Sequence, residues 1–491
     1  MLMRAEMAAA RRRVARRGPD LAARPRPDEK PGSDGLPQID HIVILMMENH
    51  SYDNYLGMLG AHEPGRPGGR GDGFTLGPDG LPTASNPSPA GQVRISHLDS
   101  TVQVKHVPNQ SWAASHLQWN GGALDGFVTS LQEVEPGDDP TRGMGYWTER
   151  ELPFYHGLAK TFPLATRWFC SCLGPTFPNR RFLIAGTANG LIDDLPFGMI
   201  DYPAKGTIFD LLTAHGITWR NYHLISAPRI RWRLFSHARG LNFLRLLGGV
   251  VAALVPGSVP RLLAKLQVTA DLYPLGFLRS VNHVRPVAGF LRDAADGTLP
   301  SVSIVDPDFS YSSEENPQDI QVGESFAADV VNAVLAGPLW PKTLLVWLYD
   351  EHGGYYDHVP PPPAPPPDDV QAIGSFDRYW LLRLLSRTSL GKQVARDDAG
   401  PRTYERLGLR VPAVIVSPYA RADYVSEQVF DHTSVLKLIE HKWNLPALTR
   451  RDEAAIAPLG LLDLEGPPRF ASPPVLPEPA KPGLWRQSPT Q

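Results

Sequence analysis

Four short apolar runs constrain this chain more than any other feature. HIVILMM (41–47), SVSIVD (301–306), TLLVWLYD (343–350) and VPAVIVSP (411–418) have the length and the β-branched or apolar content of buried parallel strands. Segments of helical period lie between them, such as IFDLLTAHG (208–216) and GESFAADVVNAVLAG (323–337), the second closed by Gly337 and Pro338. Strands alternating with helices predict an α/β fold with a mostly parallel central sheet and helices on both faces. No repeat of fixed period is visible, and 491 residues suffice for one large α/β domain with insertions.

The two ends read differently from the middle. Residues 1–36 carry Arg11, Arg12, Arg13, Arg16, Arg17, Arg24 and Arg26 among Ala, Pro and Gly, and we expect a disordered, solvated tail there. From 467 to 491 the chain is Pro-rich and reads as a second tail, which leaves one domain over 37–466. Fifty prolines are roughly twice the usual share of about 5%, so many ordered loops should carry function on a rigid scaffold. Lys+Arg 48 against Asp+Glu 51 gives a formal charge of -3, which excludes a nucleic-acid-coating protein and predicts no nucleic-acid partner. Cys170 and Cys172 stand too close for an unstrained bridge and read as small buried hydrophobes.

One apolar stretch, LNFLRLLGGVVAALVPGSVPRLLAKL (241–266), follows Arg229, Arg231, Arg233 and Arg239. Gly248, Gly249, Pro256 and Pro260 interrupt it, and a bilayer span needs about 20 uninterrupted apolar residues. It reads as a helical cap inserted over about 229–282. The functional alternative is a basic-flanked surface that touches lipid.

In open α/β sheets ligands bind beyond the carboxyl ends of the strands. HIVILMM runs into Glu48, Asn49 and His50; SVSIVD ends in Asp306; TLLVWLYD ends in Asp350 and runs into Glu351 and His352, with Asp357 and His358 close behind. Carboxylates and an amide delivered together are hard oxygen ligands for Mg²⁺, Ca²⁺ or Mn²⁺, or with histidine for Zn²⁺. The bland reading, acidic caps of the next helices, fits each one singly but not their coincidence. A fourth segment, CLGPTFPNRRF (172–182), supplies a hydroxyl: Thr176 sits in a proline-stiffened turn at the start of a helix, with Asn179 and Arg180 about one turn on. An oxygen nucleophile near a cation, with an amide and a guanidinium beside it, is suited to in-line attack on a phosphoryl group.

The strings IVILMMENHSYDNYLGML, WNGGALDGF, CSCLGPTFPNRRFLIAG, TLLVWLYDEHGGYYDHVPPP, RVPAVIVSPYA and FDHTSVLKLIEHKWNL resemble, in order from about 39 to 448, the bacterial phosphoesterase family of phospholipases C and acid phosphatases. The resemblance implies an alkaline-phosphatase-like fold, a divalent metal on Glu48, Asn49, Asp350 and Glu351, and Thr176 as nucleophile. Where the family often reads H-S-W this chain has Gln110-Ser111-Trp112, and where it often reads E-H-P it has Glu315-Asn316-Pro317, so the proton donor is left open. Of the remaining histidines His358 and His432 rank first as catalytic groups. Asn179, Arg180, Asn120 and His116 are read as substrate-binding.

Together these features predict a metal-dependent phospholipase C, working through a phospho-threonine on phospholipid or a small phosphate ester, with peripheral membrane contact through 241–266. An acid phosphatase acting on phosphomonoesters is the runner-up, and a catalytically impaired binding protein is the reading from another class. No apolar h-region of roughly 7–15 residues follows the first arginines. The sequence therefore points to the cytoplasm, although the resembled family is often exported.

Overall fold

In the computed structural model, which describes residues 2–15, 23–66, 68–104, 108–134, 139, 141–194, 201–223, 269–273, 281–378 and 387–487, each of the four apolar runs becomes a strand of one eight-stranded sheet. The strands are β1 His41–Met47, β2 Leu164–Ala165, β3 Trp219–His223, β4 Val284–Pro286, β5 Val302–Val305, β6 Thr343–Tyr349, β7 Ala413–Val416 and β8 Val425–Ser426. Their order across the sheet is β8-β2-β7-β6-β1-β5-β3-β4. β1 lies parallel to β6 and β5, and β5, β3 and β4 continue in parallel. The strands β5, β6 and β7 are buried along their whole length, and β1 is buried from Ile42 on. Both faces of the central sheet are therefore covered, which is why these runs show no polar alternation.

VPAVIVSP departs from the expectation: β7 runs antiparallel to β6 and to β2. A run buried on both faces has the same composition in either direction, and only the path of the connecting chain sets its sense. β8 returns parallel to β2.

The helices used below are α1 Leu2–Ala15, α2 Trp112–Trp119, α3 Pro153–Thr161, α4 Thr176–Ala185, α5 Ile208–His215, α6 Val287–Ala295, α7 Ile320–Ala336, α8 Ser389–Asp397 and α9 Thr433–Trp443. The helical runs read at 208–216 and 323–337 are α5 and α7. Among the described residues no helix is long and apolar enough to cross a membrane. The cap expected over about 229–282, with its apolar segment 241–266, lies outside the described residues except for 269–273 and 281–282.

Where they are described, both ends pack against the domain. α1 lies on α5, where Arg13 pairs with Asp210 at 3.1 Å and Arg11 donates to the carbonyl of Ala214 at 2.8 Å, near the negative end of that helix. Further on, Gly32 and Gly35 donate to the carbonyls of Trp443 and Lys442, and Arg26 donates to that of His441. Arg11 and Arg26 thus cap helix ends far away in sequence. At the other end Trp485 is buried, packs edge-on against Phe326 at 5.3 Å and donates to Asp329 at 2.7 Å. The backbone N–H of Ala480 donates to Glu324 on α7. Proline content reports a lack of regular structure, not a lack of packing.

Trp485→Ala should therefore cost about 3 kcal/mol of unfolding free energy, the usual price of truncating a buried large aromatic. Denaturant unfolding checks this; a change within 0.5 kcal/mol, as on a free tail, would contradict the packed end.

Candidate functional site

The register pairs Met47 with Tyr349, so Glu48 and Asp350 leave the sheet side by side, and β5, which pairs Val305 with Leu45, delivers Asp306 on the other flank. Asn49 turns off β1 with φ 68, a left-handed conformation that Asn tolerates, and its N–H donates to Asp350 Oδ1 at 3.2 Å. Gly353 passes so close that a Cβ there would lie 1.9 Å from the carbonyl oxygen of Asn49; with φ 65, only glycine suits the crossing. Glu351 is anchored by one oxygen, which accepts from Gly353 N–H at 2.7 Å. Glu48 Oε2, Asn49 Oδ1 and Glu351 Oε1 remain, all buried and with no hydrogen-bond partner among the described residues. Burial, followed by the charges of Glu315 on Glu48 and of Asp350 on Glu351, pushes both carboxyls well above the usual range. Bare hard oxygens among crowded carboxylates fit a divalent cation by donor type.

Arg180 organises this ground. It is wholly buried, and all five of its N–H donors are engaged: Nε with Asp350 at 2.9 Å, the others with Asp306, the Thr269 hydroxyl and the carbonyls of Met46 and Met47. Glu48 lies 3.7 Å from the same guanidinium. Arg180 is thus a structural cation, and no donor is left for the substrate-binding role expected of it. Asn179 differs from expectation too: it is buried, accepts from Cys172 N–H and donates to the carbonyls of Gly174 and Pro175, so it shapes the loop ahead of the helix. Thr176, one helical turn before Arg180, shares its face of α4 and is carried toward the strand ends. Its hydroxyl makes no hydrogen bond with any described residue, and Thr176 keeps 7% of its surface exposed.

The two ranked histidines separate. His432, the residue before α9, donates from Nε2 to the carbonyl of Asp350 at 2.6 Å, which leaves Nδ1 a buried lone pair without a partner among the described residues. Burial lowers its pKa, so it stays neutral beside the cluster. His358 lies instead in a network behind Asp357: Asp53 at 2.7 Å on Nδ1, Asp72 at 3.3 Å on Nε2, with Arg410 bound to Asp53 and Asp357. Burial opposes its charge, but Asp53 and Asp72 outweigh it and hold the pKa up to about 10. The structure therefore places His358 in an ion-pair network with Asp53 and Asp72, apart from the carboxylates at the strand ends, where a charged imidazolium held by two carboxylates is a poor proton donor. Among the described residues only Asp53, Asp357 and His358 bring three His, Cys, Asp or Glu ligand atoms within 4.8 Å of one another. Arg410 already supplies the positive charge there, whereas the Glu48, Asp350 and Glu351 oxygens stand wider apart, as mutually repelling carboxylates do.

The other two expected substrate ligands serve their own helix. Asn120 is exposed, ends α2 in a left-handed conformation and donates to Asp125 at 2.8 Å. His116 hydrogen-bonds the Trp112 carbonyl at 2.7 Å and lies against that indole at 4.6 Å. Two carboxyls were missed by the sequence reading. Asp194 accepts from the N–H of Phe177, next to Thr176, at 2.7 Å; burial, then Asp193 and Asp350, hold it up at about 8. Half-buried Glu315 is raised to about 7 by desolvation and by Asp350. Glu315 lies in the E-N-P string, beside the position where the resembled family often carries histidine. Asp194 stands in no strand-end motif and gave no signal.

A model described as the Phosphoesterase family matches residues 39–446. The chain is similar to phospholipase C B of Mycobacterium tuberculosis, 30% identical over 91% of this chain and 80% of that protein. It is also similar to the non-hemolytic phospholipase C of Pseudomonas aeruginosa, 29% identical over 84% of this chain and 54% of that one. Non-specific phospholipase C1 of Arabidopsis thaliana is 27% identical over 90% of this chain and 74% of its own length.

The raised pKa of His358 has a pH signature. Stability from its ion pairs is fully present below about 6.5 and is lost as pH rises through about 10. His358→Gln should destabilise by about 1–3 kcal/mol at pH 6, with the gap to the parent protein closing toward pH 10. Denaturant unfolding at pH 6, 8 and 10 measures it; a gap that widens with pH would contradict the ion-pair assignment.

Proposed function

The chain belongs to the phosphoesterase family and is a phosphoric ester hydrolase, and from that premise we propose that it is a metal-dependent phospholipase C that cleaves phospholipid phosphodiesters on the glycerol side through a phospho-threonine at Thr176. The observation that carries this reading is the hydroxyl at the first turn of α4, bound to no described residue and tied by Arg180, one turn on, to a bed of bare oxygens. Relatives named phospholipase C that align with most of the chain favour the diester over the monoester.

Glu48, Asn49, Asp350 and Glu351 would hold the ion, with His432 Nδ1 beside them. When bound, it lowers the pKa of the Thr176 hydroxyl and offsets charge on the phosphoryl oxygens. Arg180 holds Asp350 and Asp306 in place, so the strand ends need not reorganise as charge develops. The Thr176 hydroxyl releases its proton to solvent, and Oγ1 forms the new bond to phosphorus as the bond to the diacylglycerol oxygen breaks. Asp194, protonated near neutral pH and adjacent to Thr176, gives that oxygen its proton. In the second step water attacks the phospho-threonine, Asp194 takes a proton from the water, and Thr176 Oγ1 leaves. The segment 241–266 stands in this reading as the lipid approach.

Thr176→Val keeps the shape and removes the nucleophile, so turnover of phosphatidylcholine vesicles should fall on the order of 10³-fold or more with the melting temperature unchanged. Near-normal turnover would point to water as nucleophile. Activity on p-nitrophenyl phosphate with none on vesicles would favour the acid-phosphatase reading.

The bare oxygens give a second expectation. Glu48→Gln and Asn49→Gly weaken or remove oxygens that have no hydrogen-bond partner among the described residues, so each should lower bound metal per chain in elemental analysis and reduce turnover in proportion. Full turnover by parent protein stripped with chelator would overturn the metal assignment.

A further inference from the structure

Gln118, on α2, is wholly buried, and both polar atoms of its side chain have defined partners. The amide nitrogen donates to the carbonyl of Asn109 at 2.8 Å and to Ser130 Oγ at 3.0 Å. The Asn109 carbonyl can only accept, and Ser130 gives its own proton to the carbonyl of Phe127 at 3.0 Å, so this side of the amide is the NH₂ group. The amide oxygen therefore faces His352, whose Nε2 lies 2.7 Å away. That contact requires a proton on Nε2. A neutral ring then keeps Nδ1 as a lone pair, and burial of the ring disfavours the charged form that would add a second proton.

His352 Nδ1 lies 3.3 Å from Glu351 Oε2, and Nδ1 has no hydrogen-bond partner among the described residues. One acceptor thus faces another across that gap, with the negative end of the imidazole dipole turned toward the carboxylate. In the other tautomer Nδ1–H would donate to Glu351 Oε2, which already accepts from Gly353 N–H, and two donors would then drain charge from the carboxylate. We propose that Gln118 is a positioning residue of the cation site: by holding His352 in its Nε2–H form it withholds a hydrogen bond from Glu351 and leaves that carboxylate to the ion. The inference rests on the metal reading above. Gln118 does not itself touch the ion, and it acts through the ring of His352.

The test reads metal affinity and the proton's place on the ring, not turnover. Gln118→Met keeps a long unbranched side chain but offers the ring no strong acceptor, so the proton can move to Nδ1 and bond Glu351. Mn²⁺ binding to the full-length protein, followed by electron paramagnetic resonance, should weaken on the order of tenfold in Kd, as is usual when a partner behind a metal ligand is changed. Gln118→Glu, whose protonated carboxyl can give to Asn109 and accept from His352, should bind Mn²⁺ as the parent does. In a His352→Phe background Gln118→Met should have no effect, because no ring nitrogen is left to take the proton. Nitrogen NMR of the metal-free parent, with the His352 signal identified by its loss in His352→Phe, should show the proton on Nε2 and Nδ1 bare. A ring protonated on Nδ1 in the parent overturns the proposal, and this measurement decides even if Gln118→Met fails to fold. Undiminished Mn²⁺ binding by Gln118→Met, or an equal loss in Gln118→Glu or in the His352→Phe background, overturns the positioning role and leaves the metal reading in place. A parent protein that takes up neither Mn²⁺, Ca²⁺ nor Zn²⁺ overturns the metal reading itself, and the proposal with it.

Discussion

The guanidinium of Arg180 is the interaction on which the rest of the site depends. Three parallel strands end in carboxylates at one place, and such a concentration of buried negative charge would be prohibitive without a fixed cation. Arg180 meets Asp350 and Asp306 directly, lies near Glu48, and donates to the carbonyls of the last two residues of β1. Because it is borne on α4, the same bonds that neutralise the strand ends also dock the helix that begins with Thr176. Phe309 covers the guanidinium at 4.9 Å and helps keep water away. Removing this side chain would leave uncompensated buried carboxylates, at a cost of about 3–5 kcal/mol.

Behind the reacting face the loops after β1 and β6 are pinned by a different chemistry. Glu314 accepts from the hydroxyls of Tyr55, Tyr155 and Tyr349, and His50 is stacked between Tyr55 and Tyr355. On the other flank Arg410 binds Asp53 and Asp357 while His358 bridges Asp53 and Asp72. Nearly every polar atom in these two networks has a partner. The contrast with Glu48 Oε2, Asn49 Oδ1 and Glu351 Oε1 is chemical: satisfied groups rigidify, and bare ones are free to bind. Bareness therefore separates the side chains proposed to bind the ion from their equally acidic neighbours.

Asp194 brings a carboxyl from outside the strand ends to the first turn of α4, where it accepts from Phe177 N–H and is raised in pKa by burial and by its acidic neighbours.

Local pattern was enough to determine the strands, the α/β class and the strand-end carboxylates, because strand length, apolar content and the carboxyl-end rule are properties of contiguous residues. The candidate residues Thr176, Glu48, Asn49, Asp350 and Glu351 stand out for the same reason, each lying in a short string next to an element end. Tertiary structure alone decided the direction of β7, the packing of both chain ends, and the fate of individual polar side chains. Arg180 and Asn179 read as ligands by type, yet their hydrogen bonds are spent inside the protein, while His116 bonds back to Trp112 and Asn120 to nearby Asp125. His358 and His432 occupy equally plausible motifs, but one meets two carboxylates and the other a backbone carbonyl. Gln118 and His352 lie 234 positions apart and meet only when the chain folds. Whether a polar atom is free depends on its partners in space, and those partners come from distant segments that no local string records.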